Sequence, residues 1–231
     1  MPLLLVVGYG PGNSYATARR FGKAGWTIAL VGRTESKLRQ GIDSLAEDGI
    51  SAHAFVGDAS DVTTMRDTVR AVQESLGPIT SIVFSAYRPV EIGDVLTDDP
   101  NTVNQVFMIG IGGMLTVVQA ALDDLRNADQ AAVLVLNGGL GIQDPSIDSA
   151  AISFGGDGVA LECAAKSKLV GLLSERLRPE EIYVGELIIN GTVKGSPYAG
   201  PTALDPAVIA DRLWQMAEDR AENHVQIAEL G

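Results

Sequence analysis

Glu162 and Lys166 stand four residues apart, which brings both side chains to one face of a helix. A carboxylate beside an ammonium can pair with it, and the cation lowers the carboxyl pKa. The expectation is an ionised Glu162, able to take a proton and poor at giving one. A second reactive stretch opens the chain. Gly8, Gly10 and Gly12 alternate, and Asn13 and Ser14 follow. Glycines let a backbone come close to a phosphate, and a helix starting there offers unpaired N–H groups and a positive dipole end. Arg33, with Thr34 after it, adds a guanidinium able to pair a phosphate in bidentate fashion. Asn137 ends an apolar run, where a side chain facing the cleft could orient a carbonyl.

These residues need elements to hold them. Leu3–Val7 is an apolar run of the kind buried on both faces of a sheet, and residues 15–24 read as a helix. Further strands are expected at 26–31, 51–56, 79–86, 131–136, 182–189 and 225–228. Helices are expected at 34–48, 62–76, 99–125, 158–177 and 205–219, and a long loop at 137–157. Residues 57–61 form a loop that caps the helix after it. Strands alternating with helices imply parallel crossovers and an α/β fold: a Rossmann-type doubly wound parallel sheet in three α/β/α layers. No linker or repeat divides the chain, so residues 1–231 read as one domain. Ligands of such sheets sit beyond the carboxyl ends of the strands, so the loops at 8–14, 32–34, 57–61, 85–98, 137–157 and 190–204 are the ones to watch.

Composition narrows the partners. The chain has 231 residues, 46% apolar and 20% charged, with a net charge of −12. An acidic balance disfavours nucleic acid, which needs a basic face. The single cysteine, Cys163, excludes an internal disulfide framework and fits a reducing cytoplasm, as a buried helical thiol. His53 and His224 are the only histidines, too few for a His-rich metal site, and no metal is expected. No signal peptide or long apolar span is read, so no membrane partner is expected.

The nucleotide is read at the end of the second strand. An acid there suits the ribose hydroxyls of NAD, whereas a 2′-phosphate needs cations. Arg33 leads that segment and Lys37 follows one turn on, favouring NADP(H) over NAD(H). The three glycines at 110, 112 and 113 suggest close packing of the long helix, with a subunit interface as one setting, or a local kink.

Nearly the whole sequence resembles the short-chain dehydrogenase/reductase family. Gly8-Tyr9-Gly10-Pro11-Gly12-Asn13-Ser14 is similar to its glycine turn, with Val7 in place of the first threonine and Ser14 in place of the last glycine. The resemblance implies that Asp58 and Ala59 hold the adenine and that Ser85-Ala86-Tyr87 replaces the family's Asn-Ala-Gly segment. It also implies that Lys166 holds the nicotinamide ribose and that Gly191 and Val193 meet the nicotinamide amide. A dimer or tetramer is implied as well. The catalytic positions depart: Glu162 stands where the family has tyrosine, Leu140 or Gly139 where it has serine, and Gly110 where it has asparagine. Only the lysine remains.

Substitutes for the lost acid are Tyr87, Tyr198 and the hydroxyls of Ser146, Ser149 and Ser153. The expected activity is an NADP(H)-dependent oxidoreductase with an atypical site, acting on a carbonyl or enone of a small molecule through Lys166, Glu162, Asn137 and Tyr87. Two alternatives stand beside it: a non-redox isomerase, cyclase or dehydratase using Glu162, and a nucleotide-binding scaffold without turnover.

Overall fold

A computed structural model describes residues 1–87 and 92–228. Seven strands form one sheet in the order β3-β2-β1-β4-β5-β6-β7. They are β1 Leu3–Val7, β2 Thr27–Gly32, β3 Ala52–Val56, β4 Ser81–Phe84, β5 Ala132–Gly138, β6 Tyr183–Asn190 and β7 His224–Ala228. Every neighbouring pair is parallel. The order reverses at β1, which lies between β2 and β4. That is where a doubly wound sheet opens its crevice.

The apolar run of β1 serves two cores, because successive side chains point to opposite faces. Leu3, Leu5 and Val7 join α3 (Val62–Leu76), α5 (Met114–Ala120) and α8 (Asp157–Leu177) through Met65, Val69, Met114, Val117 and Val170. Leu4 and Val6 join α1 (Asn13–Lys23), α2 (Glu35–Glu47) and α9 (Pro206–Asp219) through Phe21, Leu38, Leu45 and Leu213. The three α/β/α layers expected from the sequence are these. The cap expected before α3 is present, with Asp61 Oδ1 accepting from Thr64 N at 2.9 Å.

Two expected segments are different. The long helix at 99–125 is broken into a 3-10 turn at Pro100–Thr102, α4 (Val103–Phe107), a π turn at Met108–Gly113, α5, and α6 (Leu122–Asn127). The π turn holds all three glycines, where the helix backbone is least constrained. Pro100–Ala120 is long and apolar enough to cross a membrane by length and composition, a span that the sequence reading passed over. Val106, Ile109, Met114 and Val117 of that stretch are buried in the protein. The loop at 137–157 contains a 3-10 turn at Gly139–Gly141 and α7, Pro145–Ser153. Asp144 caps α7 by accepting from Ser146 N, and Pro145 fills its first turn, a start signal present in the sequence and not read there. Of the loop at 85–98, residues 88–91 lie outside the described residues.

Candidate active site

The glycine turn is built by close approach. Gly8 has φ +89°, and a side-chain carbon there would meet the Ala86 backbone at 2.3 Å. The turn after β1 and the segment after β4 therefore lie against each other at the switch point. Gly8 N and Tyr9 N both donate to Val31 O, which fixes the turn to β2. Tyr9 reaches over to α2, where a side chain at Gly41 would strike its hydroxyl, and burial pushes its pKa up to about 12.

The departure at Ser14 is structural. Its hydroxyl accepts from Gly10 N at 2.8 Å and donates to Gly10 O at 3.1 Å, and the residue is buried. The hydroxyl of Ser14, a residue assigned to the cofactor from sequence, is engaged inside the turn and holds its shape. The start of α1 is unoccupied by any side-chain cap, and no acidic residue lies in its first turn. Asn13 Oδ1 is buried without a hydrogen-bond partner, and nothing lies within 4 Å of the space a side chain on Gly12 would fill. An open turn and a helix start without a side-chain cap fit a dinucleotide pyrophosphate, whereas the orphaned Asn13 oxygen, an acceptor, suits a hydroxyl donor.

Beside the turn lies a cavity of about 120 Å³. Gly8, Arg33, Gly57, Asp58, Ala59 and Ala86 line it, together with Tyr9, Tyr87 and Ile109. Arg33 is exposed at its rim, and Thr34 after it is exposed at the start of α2. Asp58 Oδ1 accepts from Ser60 N and Ser60 Oγ, which shapes the loop after β3. Ser85 N donates to Val7 O at 2.8 Å. Of the residues assigned to the cofactor from sequence, Gly8, Arg33, Asp58, Ala59 and Ala86 thus line one cavity. Gly191 and Val193 lie further along the same edge, after β6. There the 190–204 segment is pinned by a bridge between Val193 and Leu204.

Glu162 and Lys166 lie buried together on α8. Each is 3% exposed, and Lys166 Nζ lies 3.9 Å from Glu162 Oε1. Glu162 Oε1 has no hydrogen-bond partner. Burial pushes the Glu162 carboxyl above the usual carboxylate range, against the opposing pull of the Lys166 ammonium and the Gly110 N–H. The lowered carboxyl pKa expected from spacing alone is corrected here: desolvation outweighs the neighbouring cation. The glycines of the π turn explain how the carboxyl fits. A side chain on Gly110 would lie 2.3 Å from Glu162 Oε1, and one on Gly113 would lie 2.3 Å from Ala59 O. Their packing is thus within the chain, against α8 and the pocket loop.

Asn137 does not face the cleft. It is 3% exposed, and its amide donates to Cys163 O at 2.9 Å, Ser167 Oγ at 3.1 Å and Glu186 Oε2 at 2.8 Å. Its carbonyl oxygen accepts from Gly138 N. The catalytic assignment of Asn137 is corrected to a structural one, because no donor remains for a substrate. Its partner Glu186 is fully buried on β6 and meets His224 Nδ1 on β7 at 2.6 Å. The sequence reading missed this cluster; its signal was a lone carboxylate inside the apolar run of β6. Cys163 is buried as expected, and burial raises its thiol pKa.

Tyr87 stands half-exposed at the crevice mouth, its pKa raised first by burial and then by nearby Tyr198 and Glu162. Tyr198 is exposed and leans on Phe154 at 6.5 Å between ring centres. The three serines offered as substitutes are engaged in α7: Ser146 with Asp144, Ser149 with Pro145 O and Ser153 with Ala150 O.

Known proteins match this chain at two levels. A family model described as short chain dehydrogenase matches residues 3–151. Sulfoacetaldehyde reductase 2 of Chromohalobacter salexigens is 27% identical over 146 residues, 62% of this chain and 56% of that protein. A putative ketoacyl reductase of Streptomyces coelicolor is 35% identical over 85 residues, 37% of this chain and 33% of that protein. The chain therefore spans only about half or less of the curated relatives it matches. Among solved structures, an NADPH-bound short chain oxidoreductase of Pseudomonas aeruginosa containing an atypical catalytic center superposes with a TM-score of 0.84 at 18% identity. The match covers 97% of this chain and 95% of that one. Actinorhodin polyketide ketoreductase with NADPH gives 0.82 at 18% identity, covering 99% and 96%. At such identity the likeness is one of fold.

Proposed function

The chain belongs to the short-chain dehydrogenase family, and from that premise we propose that it is an NADP(H)-dependent oxidoreductase with an atypical site, acting on a carbonyl or enone of a small organic substrate. NADPH supplies a hydride when bound. The observation that carries the reading is the open glycine turn at the switch point, with Gly8 against Ala86 and Arg33 on the rim of the same cavity. Arg33 offers two parallel N–H groups to a 2′-phosphate, and the first turn of α1, which no side chain caps, takes the pyrophosphate. NADPH-bound structures among the neighbours support the same cofactor.

Thermal melting with NADPH and NADH tests the cofactor, since a ligand of the folded state raises the melting temperature by mass action. NADPH oxidation across a panel of small aldehydes, ketones and enones then tests the reaction. Tight binding with no oxidation across the panel counts against it.

A second reading has its own support. Glu162 is a buried carboxyl with an unpartnered oxygen, so an acid–base reaction without net redox change is open to it. Turnover that neither consumes nor depends on a particular redox form of the cofactor would favour it. The same proposal places the protein in the cytoplasm as a homodimer or homotetramer, with no nucleic-acid or membrane partner; light scattering of the purified chain checks the assembly.

A further inference from the structure

The amino-terminal edge of the sheet, opposite the nucleotide crevice, holds a second and larger cavity of about 260 Å³. Strand starts and helix ends build its wall. Pro2 and Trp26 precede β1 and β2, Ser81 and Ala132 open β4 and β5, and Phe21 and Ala217 lie in the last turns of α1 and α9. A cavity of roughly 150 Å³ already holds a benzene ring, so this one has room for a ring bearing a short chain.

Its aromatic side is fixed in advance. Phe21 meets Trp26 edge-on at 5.4 Å between ring centres and meets Trp214 at 4.8 Å. The Arg20 guanidinium lies 4.3 Å from the Trp214 ring centre and is held by Asp211 at 2.8 Å. Thr80 Oγ1 accepts from Leu3 N and Ser81 Oγ from Ala132 N, which ties the strand starts together. Rings set in this way can take a flat guest with little rearrangement. The charge at the mouth is negative. Asp129 and Glu218 are exposed there, and among the described residues neither forms an ion pair. Arg220 is the nearby cation: it donates to Ala217 O at 3.2 Å and Ala131 O at 3.4 Å, and its charge is felt by Glu218. The last turn of α9 has no basic side chain, so the negative end of its dipole adds to the two carboxylates.

We propose that this cavity is a binding site for a small aromatic ammonium compound, with the ring among Trp26, Phe21 and Trp214 and the ammonium at the mouth beside Asp129 and Glu218. The site is separate from the nucleotide crevice and does not rest on the NADP(H) reading. A neutral ring of the same shape gains the apolar contact alone. A cation gains in addition the two carboxylates, the α9 dipole end and the faces of the indoles. An anion meets all of these as repulsion.

Trp26 and Trp214 are the chain's only tryptophans, and both line the cavity, so intrinsic tryptophan emission reads this site directly. The test titrates the unaltered chain at neutral pH with 2-phenylethylammonium, with its neutral counterpart 2-phenylethanol and with the anion 3-phenylpropanoate. The ammonium is expected to change the emission saturably with a Kd below about 10 mM, within reach of a probe of this size. The alcohol should bind about fivefold more weakly, and the anion more weakly still. Asp129→Asn combined with Glu218→Gln should bring the ammonium to the affinity of the alcohol and leave the alcohol unchanged; both positions are exposed, so the fold is kept. Ala217→Leu fills the cavity and should weaken ammonium and alcohol alike by about tenfold; should that variant fail to fold, the charge variant decides. No saturable change with the ammonium, equal affinity for ammonium and alcohol, or a preference that survives in the charge variant overturns the proposal. Emission that shifts on dilution of the chain alone would mean that a second copy fills the cavity, and overturns it too.

Discussion

A side chain on Gly110 would lie 2.3 Å from Glu162 Oε1. Two departures from the family pattern, far apart in sequence, are therefore one steric arrangement. The π turn removes a side chain where α8 supplies a carboxyl, and Lys166 stands one turn beyond it. Filling that space from the wrong side should be costly, and emptying it should make the filling tolerable.

Gly110→Ala is expected to lower stability by about 1–3 kcal/mol, the usual cost of overpacking a filled site. In a Glu162→Ala background most of that cost should disappear, giving a coupling of about 1 kcal/mol or more in denaturant unfolding. Two independent, additive costs would show that the residues do not share the space.

Stability should carry a mark of Glu162 in its pH dependence. Its carboxyl pKa is raised by burial in the fold, so the fold binds the proton more tightly than the unfolded chain does. The stability this contributes is full below the unfolded pKa and is lost as pH rises through the folded value. Glu162→Gln cannot ionise and escapes the loss. Melting temperatures between about pH 4 and about pH 8 should shift in favour of the variant as pH rises, and a difference independent of pH would contradict the burial account.

Arg33 sits exposed on the rim of the cavity beside Asp58 and Gly57. Arg33→Ala should weaken NADPH by about tenfold or more and NADH far less, because only the former offers a 2′-phosphate to a fork of donors. Fluorescence titration of both nucleotides checks this, and unchanged NADPH affinity would sink the assignment.

Asn137→Ala removes three donor contacts and leaves the fully buried Glu186 short of one of them. A loss of about 2–4 kcal/mol in equilibrium unfolding is expected, the penalty of an undersatisfied buried carboxylate. NADPH affinity should change little. Unaltered stability with lost turnover would return Asn137 to a catalytic role.

The fold was legible because its signals are local. Apolar runs, glycine breaks and the Asp61 cap each act within a few residues, and their alternation leaves few topologies open. The crevice at the switch point follows from that topology; Gly8 and Arg33, read from their position, and Asp58, Ala59 and Ala86, read from the family resemblance, line its cavity. Residues 99–125 and 137–157 were less legible. A glycine-bearing apolar helix carries no sign of its own π turn, and the Asp144-Pro145 start of α7 was present but surrounded by loop-forming residues.

The sequence by itself determined the Rossmann-type sheet, the glycine turn and the i,i+4 placement of Glu162 and Lys166. The sign of the Glu162 pKa shift was decided only by tertiary structure. Spacing supplies the cation, which lowers the carboxyl pKa, but burial under the π turn supplies a desolvation that outweighs it. Asn137 was decided the same way, since Glu186 reaches it only through strand pairing with a segment about fifty residues on. Charge and hydrogen bonding at a site depend on what surrounds a residue in space, and for these two residues the deciding neighbours come from other elements.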